Sequence, residues 1–377
     1  MPQTLLKCTR CRASYPLDMA ALRCGECKSP LIVEYPLGGQ ARAGPQPPGW
    51  VGSPIPLPIR YPSSFVSLGE GNTPCVALSA VGEILGLAKL HAKLEFINPT
   101  GSFKDRGTAI MLSMAKELGV DEIVEDSSGN AGASIAAYAA RSGIKAHIFV
   151  PASAPAAKIQ QIRVYGAETH LIEGPREAAS QAAEEFCSEN SLVYASHNLS
   201  PYFIEGTKAF AYEVSAQFGP DLPQHMVMPV GNGSLFIGTW KGFQELQMAG
   251  RVATLPRLHP VQAEAVMPIV AACQEIDWAP GPGARTIAGG ISVGDPPRKQ
   301  EVLHVLRSTQ GTAVAVADPA ILRWQRLLAE REGVYCEPTS AAAFAGLEAL
   351  METGAIQKGD TVLIPVTGFG LKDVPPL

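Results

Sequence analysis

Pro99-Thr100-Gly101-Ser102-Phe103-Lys104-Asp105-Arg106-Gly107 sets one lysine after a glycine-bearing turn and before a helical pattern. Ile110, Met111, Met114, Ala115 and Leu118 recur at helical spacing, so the pattern predicts a helix over 104–118 that opens on the lysine itself. An ammonium group at a helix N-terminus is opposed by the helix dipole, and desolvation opposes it further, so the amine becomes a nucleophile near neutral pH. That is the requirement for a lysine that forms a Schiff base. Taken alone, a lysine such as Lys104 reads first as a surface cation, paired with Asp105 or with a neighbouring helix. Its surroundings decide.

Working outward, Leu90 to Phe96 reads as a strand leading into the lysine loop, and Gly69-Glu70-Gly71-Asn72-Thr73-Pro74 precedes it. Downstream, short β-rich runs alternate with helical ones: strand 122–126, helix 131–142, strand 145–150, helix 155–165, strand 168–172, helix 175–189 and strand 192–195. A second series follows: helix 202–218, strand 225–230, helix 235–248, strand 257–263, helices near 298–307, 319–331 and 339–352, and strands near 312–316 and 361–366. Such alternation predicts parallel sheets covered by helices, hence two α/β domains. Gly281-Pro282-Gly283 and Ala288-Gly289-Gly290 punctuate an irregular region.

Two further loops join a strand to a helix. Gly231-Asn232-Gly233-Ser234-Leu235 follows the apolar run Met228-Pro229-Val230. Its glycines let successive backbone N–H groups converge in front of a helix N-terminus, which makes a phosphate cradle or, more plainly, a strand-to-helix turn. The third glycine of a Rossmann fingerprint is missing. Ser127-Ser128-Gly129-Asn130 lies at the end of a predicted buried strand, where open α/β sheets place ligands, and Asn130 there can also serve as a helix cap.

These three stretches, with Thr367-Gly368-Phe369-Gly370-Leu371-Lys372-Asp373, occur in the order and identity found in the threonine synthase family of fold-type II pyridoxal-phosphate enzymes, which the chain resembles over roughly residues 67 to 373. The resemblance implies an α/β fold of the tryptophan synthase β type: two three-layer α/β domains with a cofactor cleft between them, plus a small N-terminal zinc ribbon. On that basis the domains are expected at 1–36 (ribbon), 37–66 (connector), 67–100 with 200–377 (large, cofactor-binding) and 101–199 (small). It implies pyridoxal 5'-phosphate on Lys104, which also moves protons. Phe103, Asn130, Gly231, Asn232, Gly233, Ser234, Leu235 and Thr367 would contact the cofactor: Asn130 at the ring oxygen, the glycine loop at the phosphate and the Thr367 hydroxyl at the pyridine nitrogen. A hydroxyl there makes the ring a more modest electron sink than an aspartate would. Ser127, Ser128 and Gly129 would receive the substrate carboxylate. Glu337, in Glu337-Pro338-Thr339-Ser340-Ala341, either approaches the ring or starts a helix.

The family commonly carries threonine, arginine and histidine where this chain has Ala131, Phe203 and Phe369. An apolar Phe203 in the substrate region cannot hydrogen-bond a phosphate. Conversion of O-phosphohomoserine and water to threonine and phosphate is therefore expected alongside an alternative: β-elimination or β-replacement on a non-phosphorylated amino acid, as in a threonine or serine dehydratase. Lys208 and Arg106 are candidate replacement cations. A non-catalytic protein using its ribbon to bind a partner is a third reading.

The ribbon is read from Cys8-x2-Cys11 and Cys24-x2-Cys27, separated by twelve residues. Each close pair can wrap a turn around one ion, and four thiolates complete a closed, structural zinc site. The segment has an excess of only two basic residues, too few for a nucleic-acid footprint. Beyond it runs a Pro/Gly-rich connector, with Trp50 and Phe65 as candidate anchors. The 377 residues are 46% hydrophobic with a formal net charge of -5, enough for two cores and without attraction for nucleic acid or anionic membrane. No apolar stretch reaches membrane-spanning length, and Met1 to Cys8 lacks the apolar core of a signal peptide. A cytoplasmic enzyme acting on a small amino acid is expected, homodimeric by family analogy.

Overall fold

The structure is a computed structural model that describes residues 3–36, 46, 50, 54–174, 176–281 and 283–372. Of the connector, residues 37–45, 47–49 and 51–53 lie outside the described residues, as do Pro282 and Asp373. The chain divides into two compact units: Met1–Gly71, Asn98–Thr100 and Lys104–Ala209 form the first, and Asn72–Ile97, Gly101–Phe103 and Phe210–Leu377 the second.

The first unit opens with a three-stranded antiparallel sheet, β1 (Leu5–Cys8), β2 (Ser14–Tyr15) and β3 (Leu31–Glu34), ordered β2-β1-β3. Leu6 faces Val33 across the ladder, both buried, which gives this short segment its apolar contact. The chain then contributes β4 (Cys75–Ala77), α1 (Ser79–Leu85) and β5 (Lys89–Lys93) to the second unit before returning to the first. There α2 (Lys104–Glu117), β6 (Glu122–Glu125), α3 (Asn130–Ser142), β7 (Lys145–Pro151), α4 (Ala156–Val164), β8 (Glu168–Ile172), α5 (Arg176–Asn190), β9 (Val193–Tyr194) and α6 (Pro201–Thr207) follow one another. Their strands form an all-parallel sheet, β8-β7-β6-β9. β7 is buried at every position after Lys145, as a strand covered on both faces must be. The alanine-rich α3 buries Ala131, Ala133, Ala136, Ala137 and Ala139, small side chains that allow close packing against α2.

In the second unit α7 (Ala209–Phe218), β10 (His225–Pro229), α8 (Ser234–Met248), β11 (Arg257–Ala263), α9 (Pro268–Cys273), α10 (Lys299–Ser308), β12 (Val314–Val316), α11 (Asp318–Glu332), α12 (Pro338–Glu352) and β13 (Thr361–Pro365) complete a six-stranded sheet. Its order is β12-β11-β10-β13-β5-β4, parallel except for the edge strand β4. Val227, Val261, Trp324, Phe344, Leu347 and Ile364 are part of the apolar core of this unit.

Two expected elements differ. The strand expected over 90–96 ends at Lys93, and Glu95–Ile97 forms a 3-10 turn. Here Lys93 is fully buried, with Nζ 2.9 Å from Glu213 and donating to the Thr73 carbonyl at 3.0 Å, while Glu95 accepts from the Thr73 hydroxyl at 2.7 Å. Buried polar groups need these partners, and the chain bends to supply them. The single helix expected over 202–218 is interrupted at Lys208. Its ammonium, also fully buried, lies 2.6 Å from Glu205 and 4.6 Å from the Tyr35 ring centre. Among the described residues, no helix is long and apolar enough to cross a membrane.

Candidate active site

Lys104 is the first residue of α2. The loop before it is pinned by Asp105, whose carboxylate accepts the Thr100 N–H at 2.7 Å, the Thr100 hydroxyl at 2.5 Å and the Ser134 hydroxyl at 2.7 Å. One acidic residue in the first turn thus both suits the helix dipole and fixes the loop carrying the lysine. Lys104 Nζ sits 5.6 Å from the centre of the Phe203 ring, within cation–π range. Phe203, on α6, is fully buried, and its ring lies so close to Gly107 that a Cβ there would be 2.4 Å from Cε1. Only glycine at 107 admits the ring beside the lysine's helix.

Next to Phe203, and unanticipated from the sequence, is a buried His197–Glu125 pair. The His197 and Phe203 rings meet edge-on at 5.9 Å, and His197 Nδ1 is 2.6 Å from Glu125 Oε1. Burial, with Asp126 beside it, pushes the Glu125 carboxyl well above the ordinary carboxylate range. Burial and the charge of Lys104 hold His197 well below the usual imidazole value. Both shifts favour the neutral forms, and the second Glu125 oxygen accepts the backbone N–H of His197 at 3.2 Å. No local pattern signals it, because 72 residues separate the partners.

Ser127, Ser128 and Gly129 form the bend between β6 and α3, with the Ser127 hydroxyl accepting the Gly129 N–H at 3.3 Å. Asn130 is the first residue of α3, and the cap residue before it, Gly129, has no side chain with which to cap the helix. Its leading N–H groups are suited to a carboxylate.

In the second unit, Gly231, Asn232 and Gly233 connect β10 to α8, which Ser234 and Leu235 open. Gly233 has φ of +83°, the left-handed region, and a Cβ would meet Val302 Cγ2 at 2.4 Å. The cap residue Gly233 has no side chain to cap α8, a helix of fifteen residues, so this N-terminus fits a phosphate group. Thr367, buried just past β13, has its hydroxyl 2.9 Å from that of Ser340. Ser340 Oγ already accepts the Gly368 N–H at 3.0 Å, so its own hydrogen can go to Thr367, leaving the Thr367 hydrogen to be donated onward, as a pyridine nitrogen requires. The Thr367 carbonyl also accepts the Phe103 N–H at 3.1 Å. This donor set fits pyridoxal phosphate. Phe369 stacks on Phe96 at 5.1 Å, and Glu337 is the cap position of α12, its N–H bonded to the Gly368 carbonyl. Arg106 and Lys208 are both fully buried, and Lys208 is held by Glu205.

At the N-terminus the Cys8, Cys11, Cys24 and Cys27 sulfurs all lie within 4.8 Å of one another. Cys8 Sγ accepts the N–H groups of Arg10 and Cys11 at 3.4 Å. The Tyr15 hydroxyl, itself accepting the Gly25 N–H, donates to Cys24 Sγ at 3.1 Å and lowers the pKa of that thiol. The Ser29 side chain brings Cys27 down to about 6. Four converging sulfurs suit a tetrahedral zinc ion.

The class follows from comparison with known proteins: a profile of the pyridoxal-phosphate dependent enzymes matches residues 66–368. Threonine synthase of Methanocaldococcus jannaschii is 38% identical over 84% of this chain and 79% of its own length. Threonine synthase of Methanosarcina acetivorans is 35% identical over 98% of this chain and 92% of its own length, so that likeness reaches into the cysteine segment. Among solved structures, a threonine deaminase from T.th. aligns with TM-score 0.67 and 26% identity over 81% of this chain and 94% of that chain. Maize serine racemase shares the fold, with TM-score 0.67, 23% identity, and coverage of 80% and 88%. The chain belongs to the threonine synthase family of pyridoxal-phosphate-dependent enzymes.

Proposed function

We propose that this protein converts O-phosphohomoserine and water to threonine and inorganic phosphate, with Lys104 holding the cofactor and moving the protons. The observation that carries this reading is the half-buried Lys104 at the start of α2, in a chain 34–39% identical to curated threonine synthases. Bound pyridoxal phosphate supplies an electron sink that makes the amino-acid α-proton removable. The chain's own groups do the rest. Lys104 Nζ, presented against the Phe203 face, takes and returns the proton at the substrate carbons, as general acid and base. The start of α8 with Gly231 to Leu235 would hold the cofactor phosphate, Thr367 would donate to the ring nitrogen, and Phe103 and Asn130 would hold the ring. Ser127, Ser128 and Gly129, at the start of α3, orient the substrate carboxylate. The neutral Glu125–His197 pair adds no charge beside the lysine. The four cysteines would hold one structural zinc ion, closed to substrate. Reduced thiols suit the cytoplasm.

A second reading, elimination from threonine or serine, is favoured by the apolar Phe203 and Ala131, which offer no hydrogen bond to a phosphate. Assaying phosphate and threonine formation from O-phosphohomoserine against 2-oxo-acid release from threonine and serine separates the two. Borohydride reduction followed by peptide mapping should place a pyridoxyl group on Lys104. Label on another lysine, or 2-oxo acid as the sole product, would overturn the first reading.

A further inference from the structure

We propose that the edge of the first unit's parallel sheet carries a metal site apart from the four cysteines, in which His147 Nδ1, His170 Nε2 and a Glu168 carboxylate oxygen bind one divalent transition-metal ion, zinc being the natural probe. Strand register assembles it. His147 on β7 pairs with Glu168 on the edge strand β8, and His170 follows two residues later on the same face.

The three ligand atoms lie within 4.8 Å of one another. Nδ1 and Nε2 are 3.1 Å apart, and the Glu168 oxygens lie 3.6 Å from His147 Nδ1 and 3.8 Å from His170 Nε2. Two imidazoles bound at about 2.0–2.1 Å to a tetrahedral ion have nitrogens roughly 3.3 Å apart, so the rings are already nearly placed.

The surroundings have the form of a metal site's outer shell. His147 Nε2 donates to Glu122 Oε1 at 2.5 Å, which fixes the tautomer whose Nδ1 lone pair faces Glu168 and His170. Phe149 stacks on His170 at 4.3 Å, and Phe186 of α5 packs on both histidine rings, at 4.9 and 5.4 Å. The side chain of Glu168 is 52% exposed and that of His170 24%, which opens the site to an ion and to water in the remaining position. Lys145, which bridges Glu122 and Glu168, is 57% exposed, and its long side chain can leave Glu168 while keeping Glu122.

The test is zinc chloride titration of the full-length, cofactor-loaded protein, with bound metal measured after equilibrium dialysis. The readout is the difference between wild type and His170→Ala, which does not depend on the cysteines: about one zinc ion per chain. Glu168→Gln should weaken this uptake, and Glu122→Gln should weaken it about 10- to 100-fold. Cys24→Ser should leave it intact, and the cofactor's visible absorbance, recorded throughout, reports folding. Equal zinc uptake by wild type and His170→Ala, or Glu122→Gln and Glu168→Gln both binding as wild type does, would overturn the proposal and leave the cluster an ion-pair network.

Discussion

Gly107→Ala should be destabilising beside Phe203 and stabilising without it. In wild type the new methyl group would lie 2.4–2.5 Å from three atoms of the Phe203 ring, which is fully buried. Forcing apart such a contact costs about 3 kcal/mol, the upper range for overpacking. Replacing a helical glycine by alanine returns about 1 kcal/mol, leaving a net loss of about 2 kcal/mol. Phe203→Ala alone should cost about 3–5 kcal/mol through lost burial and the cavity left behind. In that background Gly107→Ala meets no ring. It keeps its helical gain and fills part of the cavity, about 0.8 kcal/mol for one carbon. The sign of the same substitution should therefore reverse, with a coupling of roughly 3–4 kcal/mol. Thermal unfolding of the four proteins, at about 2–4 °C per kcal/mol, reads this directly. Because the ring lies under Lys104, kcat of Gly107→Ala should fall as well. Parallel decreases in Tm for Gly107→Ala in both backgrounds would refute the packing argument.

Glu125→Gln tests the buried pair. A carboxyl raised above its ordinary 4.5 gives stability that is full below that value and lost as pH rises; neutral His197 acts oppositely, its contribution full above 6.5 and lost as pH falls. Glutamine keeps both hydrogen bonds without titrating, so its Tm should pull ahead of wild type between pH 5 and 8, and superimposable curves would count against a protonated Glu125. Ser340→Ala should leave the buried Gly368 N–H without its acceptor, costing about 1–3 kcal/mol, and should weaken cofactor retention through Thr367; unchanged cofactor affinity would remove Ser340 from the site. Cys24→Ser should release zinc from the N-terminal segment while the cofactor spectrum persists, and metal analysis showing zinc retained would contradict a four-cysteine site. Tyr35→Phe should loosen the N-terminal segment by about 1.5–3 kcal/mol, as expected for a hydrogen bond to a charged group, because the Tyr35 hydroxyl donates to Glu205 at 2.5 Å. Hydrogen exchange in β1–β3 equal to wild type would argue otherwise.

The parts written locally in the chain are legible from the sequence. Lys104 after Gly101, the glycine loop before Ser234 and Thr367 at a strand end are each set by a turn, a helix start or a strand end within a few residues. Backbone conformation follows from such neighbours, and so does the alternation that gives the parallel sheets. Strand 90–96 reads too long because its end is set by the buried Lys93 ammonium, whose partner Glu213 lies far along the chain, and helix 202–218 because it breaks at the buried Lys208, packed on the distant Tyr35 ring as well as paired with the nearby Glu205. The same holds for what the fold alone decided: the Phe203 ring against Gly107 and Lys104, the neutral Glu125–His197 pair, the Ser340 hydroxyl orienting Thr367, and the two histidines and Glu168 on adjacent strands. Periodicity tells which face of an element is buried, but helix packing and strand register choose which residue it meets. That choice sets the charge and proton state of the groups around the lysine.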